Sequence, residues 1–590
     1  MLPMGRFSQC LAAAGLSLFF AGVAQAAPAS SNPVGSANVT VADPTVPRPP
    51  GQPCVVQLFS NDTFDDFSPR PYSYAPPAGC GTHWSKVVLE ADFSVTAGVQ
   101  YDRTATLFLG GVNLYFGTTQ EPASDLAPSW HVERDLTDYS ALFRNPAQGQ
   151  ALIGNIVNST YTGVIHGSAR LLFYPASVLA PAAAVPDAVY PLGSDPIGST
   201  VELDNSSSQL AATLSLPRNV ERAYLDVFTQ SQNADEFWYT CVPDAYTSET
   251  GECGGGNFRE AEISIDGQPA GVAPVYPWIY TGGVDLFIWK PTPGVQTLNF
   301  MPYRVDLTPF AGILSNGSPH TVAVSVQGAN NYFSATASLL VYQDARAKQV
   351  SGQVLRNTLA NQPPTPTIGS TLSQDPSGDV TGDITTNLSR HFVIEGYVNT
   401  SHGRVDTTVN QTVVFADTQG FTINPTTYDQ TSDQLTTVEG SSRSTIGALV
   451  SGEFDESFSY PLHVESNQAV VANGNSTILT TIRQGYDQHT ALSIEGLKLY
   501  SADVHNQVEG VDTLDLDASY DILGHSGQQT TQEFAFKDSL GGCYRSSVSS
   551  ANNVVTAYTS GKGCPGQRNR VFWFSHPDGS PYLGDTLLGW

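Results

Sequence analysis

Tyr101-Asp102-Arg103-Thr104-Ala105-Thr106-Leu107-Phe108-Leu109 alternates polar and apolar side chains through its middle, from Thr104 to Leu107. Drawn out as a strand, the segment places Ala105, Leu107 and Leu109 on one face and Asp102, Thr104 and Thr106 on the other, the period of two that a half-buried sheet requires. Similar runs recur at Ala169 to Tyr174, Ala223 to Phe228, Glu260 to Ile265, Thr321 to Val326, Ala337 to Tyr342 and His391 to Tyr397, divided by turn pairs such as Asp266-Gly267 and Asn316-Gly317. Hardly any stretch sustains a helical period. The expected fold is therefore all-β, of sandwich or jelly-roll type.

The chain has 590 residues, a length that suggests about three or four domains. A basic start at Arg6, an apolar run from Leu11 to Val23 and the small-residue pattern Ala24-Gln25-Ala26 read as a signal peptide over 1–26. The Pro/Ala/Ser/Val segment 27–50 reads as a linker, because it lacks the bulky apolar groups of a core. The Pro/Ala-rich stretch from Pro175 to Pro191 and the polar stretch from Ala360 to Gly382 mark boundaries. They divide the remainder into a first domain over 51–180, a second over 181–345 and a Thr/Ser/Gln/Asp-rich, β-rich C-terminal domain over 346–590.

Lys and Arg number 26 against 54 Asp and Glu, for a net charge of −28. That balance argues against nucleic acid or an anionic membrane as a partner, and no later stretch is apolar and long enough for a membrane helix. With so few bases, protonating every carboxylate would leave mild self-repulsion, which reads either as tolerance of acid or as the ordinary solubility of an exported protein. Secreted or periplasmic localisation follows from the leader. Of 7 cysteines, Cys10 departs with that leader, and the rest fall as local couples: Cys54 with Cys80, Cys241 with Cys253, Cys543 with Cys564. No CxxC spacing or paired histidine accompanies them, so disulfides are expected rather than a metal site.

Four segments could carry chemistry. Asp102 beside Arg103 reads as a surface ion pair or as a general base, and the segment alone favours the pair. In Asn233-Ala234-Asp235-Glu236-Phe237-Trp238-Tyr239, an extended chain would set Glu236 and Trp238 on one face and Asp235, Phe237 and Tyr239 on the other. A carboxylate beside an indole suits acid/base work with stacking on a sugar ring, although core packing explains an aromatic pair as well. The loop closed by Cys241 and Cys253 would gain on the order of 3 kcal/mol from its disulfide in the entropic account. Arg259-Glu260-Ala261-Glu262-Ile263-Ser264-Ile265 sends Ala261, Ile263 and Ile265 inward, with Glu260 and Glu262 solvated. Tyr276 to Gly283, followed by Trp289-Lys290-Pro291, is aromatic and turn-rich, either a carbohydrate rim containing Tyr280 and Trp289 or core. No G-x-S-x-G, H-E-x-x-H or P-loop spacing occurs. Carboxylates remain.

These segments together resemble the acid-active peptide N-glycanase A family. The matching pieces are Tyr101-Asp102-Arg103-Thr104, Leu109-Gly110-Gly111-Val112, Thr119-Gln120-Glu121-Pro122, Asp138-Tyr139-Ser140-Ala141-Leu142, Tyr161-Thr162-Gly163-Val164, Asp235-Glu236-Phe237-Trp238-Tyr239, Arg259-Glu260, Ile265-Asp266-Gly267 and Ile279-Tyr280-Thr281-Gly282-Gly283. A more distant similarity joins this region to the flavobacterial glycoamidase F group. The resemblance implies two adjacent antiparallel jelly-roll domains and hydrolysis of the amide bond between asparagine and N-acetylglucosamine in N-linked glycopeptides and glycoproteins, in acid. It implies Asp102 as the base, Arg103 as its neighbour toward substrate, and a second-domain acid, Glu236 ahead of Asp235. Trp238, Tyr239, Arg259, Glu260, Tyr280 and Trp289 are the expected substrate-binding residues. A third family acid has no counterpart in Gly154-Asn155-Ile156-Val157-Asn158. No metal or cofactor is implied, and a monomer is expected. A glycosidase cutting within the chitobiose core, or a carbohydrate-binding protein without turnover, are the readings from other classes.

Overall fold

The computed structural model describes residues 33–446 and 450–581, together with the backbone of Val23 and Ala24. The leader expected over 1–26 lies outside the described residues, those two apart. The architecture is all-β. Two four-stranded antiparallel sheets make the first sandwich. One runs in the order Cys54–Phe64, Ile165–Pro175, Trp84–Val95, Ser129–Asp135, and the other Arg70–Tyr74, Ala147–Ile153, Thr104–Leu109, Val112–Thr118. Alternate residues of both sheets, among them Leu89, Phe93, Leu107, Tyr115 and Phe173, meet in a shared core. That is the outcome of the period-two pattern.

The second sandwich has Ala188–Pro191, Phe333–Gln343, Val220–Ser231 and Tyr303–Asp306 on one side, with Val201–Leu203 also on Phe333–Gln343. Leu210–Leu214, His320–Gln327, Glu260–Ile265 and Gln268–Pro274 form the other. Asp266 and Gly267 close the last hairpin, both with positive φ (51° and 76°), as a two-residue turn compatible with strand twist demands.

The two sandwiches are locked edge to edge by buried polar groups. Arg304 places Nε 2.6 Å and Nη2 2.8 Å from the two oxygens of Asp226, and Nη1 2.6 Å from Asp138 of the first sandwich. Tyr139 donates to the same Asp226 at 2.8 Å. Alongside, the Val112–Thr118 strand lies so close to residues 297–300 that a Cβ on Gly117 would stand 2.5 Å from the Leu298 carbonyl. Glycine is required there by proximity.

From Ser351–Asn357 to Val554–Ser560 the chain builds one 12-stranded sheet, mainly a meander of very long antiparallel strands such as Val380–Thr400, Gly403–Asn424 and Leu497–Leu516. Its inner face packs on the second sandwich, where Phe392, Val413, Phe458 and Val508 join the same core as Ile263 and Trp289. Much of that inner face is polar. Gln419, Ser432, Gln434, Gln484, Gln528 and Thr530 are all at most 3% exposed.

The segment read as a linker is instead laid down across the molecule from about residue 34. The Ala42 N–H donates to Gln532 at 2.6 Å, Asp43 accepts from Asn506 and Gln532, and Arg48 pairs with Glu90 and Glu133 at 2.7 Å. A segment too poor in apolar groups to make a core is held by hydrogen bonds and ion pairs to cores made by others.

Replacing Arg304 strands two carboxylates at the seam between the sandwiches. Arg304→Ala is expected to cost about 3 to 5 kcal/mol, seen as a lower melting temperature. A melt equal to wild type would show that the seam does not depend on this cation.

Candidate active site

Asp102 lies just before the Thr104–Leu109 strand rather than on it, where the two sandwiches meet. Its neighbours are pinned on the first-sandwich side. The Arg103 N–H donates to Thr119 Oγ1 at 2.8 Å, and the Thr119 N–H to the Arg103 carbonyl at 2.9 Å. Thr104 reaches the second sandwich through Gln230 and Gln232, the latter donating to its hydroxyl at 2.5 Å. Asp102 accepts the Gly282 N–H at 3.3 Å, from a loop of the second sandwich. A Cβ on Gly282 would come 2.5 Å from Glu121 Oε1 and 3.1 Å from Asp102 Oδ1, so this backbone approaches the carboxylates closely because it carries no side chain.

Three carboxyl groups share the spot. The Asp102 N–H donates to Glu121 Oε1 at 3.3 Å, and Lys290 Nζ lies 3.7 Å from Glu121 Oε2. Burial raises the Asp102 pKa above its ordinary value, against the Gly282 N–H and the charge of Arg103. Burial and the neighbouring Asp102 charge push Glu121 up to about 7, with Lys290 opposing. Glu236 is also pushed up to about 7, first by burial and then by the charges of Asp102 and Glu121. Like charges in a poorly solvated cleft cannot all ionise together. The arrangement therefore holds a carboxylate able to accept a proton beside carboxyls that retain theirs near neutrality, the pairing that acid/base chemistry requires.

Of the residues expected here, Asp102 and Glu236 come together and Arg103 lies beside them. Arg103 donates to Gln100 at 2.6 Å and sits 5.9 Å from the Tyr101 ring. Asp235 points away. Its Oδ2 accepts the N–H groups of Asn330, Asn331 and Tyr332 at 2.7 to 3.0 Å, its Oδ1 meets Arg259 at 2.8 Å, and both side chains are 1% exposed. The pair clamps a loop and is buried. Glu260 is not solvated and does not face the cleft either. Arg390 of the large sheet binds it and Glu262 together, while burial holds that arginine down to about 10 and Glu262 up to about 7.

The aromatic rim is also placed differently. Asn233–Asp235 and Trp238–Thr240 are 3-10 turns, so the faces of an extended chain do not apply. Trp238 and Tyr239 turn into the core, where the Arg259 guanidinium lies 5.9 Å from the indole. Trp289 is fully buried, its indole N–H on the Gly283 carbonyl at 2.8 Å, and the Tyr280 hydroxyl is spent on the Ser231 carbonyl. The rings with exposed surface are Tyr101, packed on Tyr161 at 5.3 Å, and Phe237. Glu121 and Lys290 were not picked out as site residues. Both stand within quoted motifs, and a lone charge in an otherwise turn-forming or aromatic run was the available signal.

The three local disulfides are formed, and Cys241–Cys253 closes the loop behind Glu236. Among the described residues, Glu221, Asp344 and His402 form a grouping able to chelate an ion. Asp344 is already engaged there, accepting from Ser401 N and Oγ at 2.5 and 2.8 Å and from the Arg346 N–H at 3.0 Å.

Comparison with known proteins bears on this geometry. A family model described as peptide N-acetyl-beta-D-glucosaminyl asparaginase amidase A matches residues 45–359. The peptide-N4-(N-acetyl-beta-glucosaminyl)asparagine amidase A of Prunus dulcis is 25% identical over 558 residues, which cover 88% of this chain and 91% of that protein. Among solved structures, PNGase F, a glycosylasparaginase from Flavobacterium meningosepticum, aligns with a TM-score of 0.34 and 14% identity over 50% of this chain and 96% of its own. PNGF-II aligns with a TM-score of 0.34 and 12% identity over 50% and 65%.

The coupling among the three carboxyls is directly measurable. Glu121→Gln removes a like charge, so the Glu236 midpoint should fall below about 7. A titration of carbon-13-labelled glutamate carboxyls checks this, and a Glu236 midpoint unmoved by the substitution would mean that the two do not interact.

Proposed function

The chain belongs to the peptide N-acetyl-beta-D-glucosaminyl asparaginase amidase A family; it is an amidase that releases N-linked glycans from asparagine, and we propose that Asp102, Glu236 and Glu121 carry the reaction. Asp102 takes a proton from a water molecule whose oxygen attacks the asparagine side-chain carbonyl carbon. Arg103 and Lys290, the cations beside the carboxylates, stabilise the negative charge that develops on the carbonyl oxygen. Glu236 gives its proton to the nitrogen as the carbon–nitrogen bond breaks, leaving aspartate and a glycosylamine. Glu121 holds the Asp102 backbone, and burial together with the charge of Asp102 keeps Glu236 protonated. The observation that carries this reading is the meeting, in the groove between two sandwiches, of a carboxylate with two carboxyls whose protons are retained up to about pH 7.

The substrates on this reading are N-linked glycopeptides and glycoproteins, with the exposed Tyr101 ring, beside Arg103 and packed on Tyr161, available to them. The leader pattern and three disulfides support work in an oxidising compartment, as a secreted or periplasmic protein.

Mass spectrometry of a treated glycopeptide tests the reaction. Conversion of asparagine to aspartate is expected; a retained single sugar would instead mean cleavage within the chitobiose, and an unchanged peptide would mean binding alone. Asp102→Asn keeps the shape and cannot accept the proton, so the initial rate should fall by about 10² to 10⁴ while the melt stays that of wild type. A variant that melts normally and keeps more than about a tenth of the rate would remove Asp102 from the role of base.

The pH dependence has a definite sign. Below about 7 Glu236 is protonated and can donate; above it the proton is lost, so the rate should fall as pH rises through about 7. At the acid end the rate should fall once Asp102 is itself protonated, its pKa being raised by burial. A profile still rising above neutrality would contradict Glu236 as the acid.

A further inference from the structure

The loop that brings Gly282 and Lys290 to the carboxylates has little regular structure of its own. Between Pro274 and Tyr303 no strand is formed, and the chain runs through turns. Something outside it must fix its course, because an irregular backbone carries donors and acceptors that need partners when buried. The first sandwich supplies some of them, Gln120 donating to the Trp289 carbonyl at 3.2 Å and the Thr119 carbonyl accepting from the Thr281 hydroxyl at 2.7 Å, and the inner face of the C-terminal sheet supplies others. Thr530 donates its hydroxyl to the Ile288 carbonyl. Gln528 extends its amide to the carbonyls of Ile288 and Lys290 at 3.4 and 3.3 Å. Gln484 donates to the Pro277 carbonyl at 2.7 Å and accepts the Val295 N–H at 2.8 Å, gripping the loop at both ends.

Packing follows the same course. The His525 ring stacks on Phe287 with centroids 3.7 Å apart and planes 10° from parallel, and His525 faces Asp512 at 3.2 Å. Gly510 leaves the space into which Ile288 fits, since a Cβ there would lie 2.3 Å from Ile288 Cγ2. Within the loop, Asp285 accepts the Phe287 N–H at 2.9 Å and Trp289 closes on Gly283, so a hold on residues 287 to 290 is transmitted to the Gly282 end.

We infer that the C-terminal sheet is part of the catalytic unit, with Thr530, Gln484 and Gly510 acting as positioning residues for the loop that presents the Gly282 N–H to Asp102 and the Lys290 ammonium to Glu121. The strands concerned, Ser476–Ile494, Leu497–Leu516 and Ile522–Asp538, lie beyond the residues matched by the family model. None of these side chains touches the carboxylates. They act through the loop, and the inference rests on the assignment of Asp102 and Glu121 to the reaction.

The test uses the full chain with Thr530→Val, which keeps the shape and removes the hydroxyl, and Thr530→Ser, which restores it. Thr531→Val, on the opposite face of the same strand, is the control. Thr530→Val is expected to lower kcat for glycan release by between about 10- and 100-fold with KM within a factor of about two, whereas Thr530→Ser and Thr531→Val stay near wild type. Hydrogen exchange, followed by mass spectrometry, should accelerate in residues 281–291 of Thr530→Val alone. If Thr530→Val melts early, Gly510→Ala decides in its place, since it deletes no bond and only displaces Ile288. Unchanged kcat with unchanged loop exchange overturns the inference, and so does a fall in kcat with no change in loop exchange. A wild-type protein that releases no glycan would overturn the proposed reaction, while the exchange experiment would still report whether the sheet holds the loop.

Discussion

Arg304 between Asp226 and Asp138 sets the position of one sandwich on the other. Each sandwich has its own apolar core, and hydrophobic burial alone would let two such bodies meet in many ways because it has no direction. A guanidinium fork engaged by two carboxylates, one from each sandwich, accepts one geometry. The groove that opens beyond this seam then has Asp102 on one wall and Glu236 on the other. The burial of Glu236 there, added to its repulsion by Asp102, holds it near neutrality in its acidity, and both are products of that registration rather than of either wall.

Local strand structure was largely legible. The Thr104–Leu109 and Glu260–Ile265 strands have the bounds that alternation suggests, and Asp266-Gly267 turns as such a pair should. What alternation cannot carry is the identity of the covering layer. Glu260 and Glu262 do lie opposite Ala261 and Ile263, but that face is covered by Arg390, more than a hundred residues further on, so that Glu260 is buried and Glu262 half-buried where both read as solvated. At Asn233, a left-handed φ of 52° starts a turn that sends Trp238 and Tyr239 inward. No pattern of apolar spacing reports that turn, and the expected sugar-stacking rings became core.

The site was legible to the extent that its chemistry is local. Asp102 stands next to an arginine at a strand end, and Glu236 among aromatics, and both were marked by that setting. Glu121 and Lys290 acquire meaning only by meeting each other across the seam. The same holds for the Thr, Ser and Gln content of the C-terminal sheet. Its polarity does not report which face is covered, and one face is buried against backbone carbonyls that need donors, as with Gln419 on Thr240 and Gln434 on Asn257.

The opening segment, residues 34 to 50, lies across strands that are made last. Ala42 is bonded to Gln532 and Asp43 to Asn506, so the start of the chain waits for its end. During synthesis or export the part of the strap around Arg48 can dock on the first sandwich through Glu90 and Glu133 as that sandwich forms, but the bonds of Ala42 and Asp43 to the large sheet have no partner until nearly the whole polypeptide is present. Closure at Ala42 and Asp43 is therefore among the final events of folding, and a chain truncated before about residue 530 would leave that part of the strap unclasped and open to proteases.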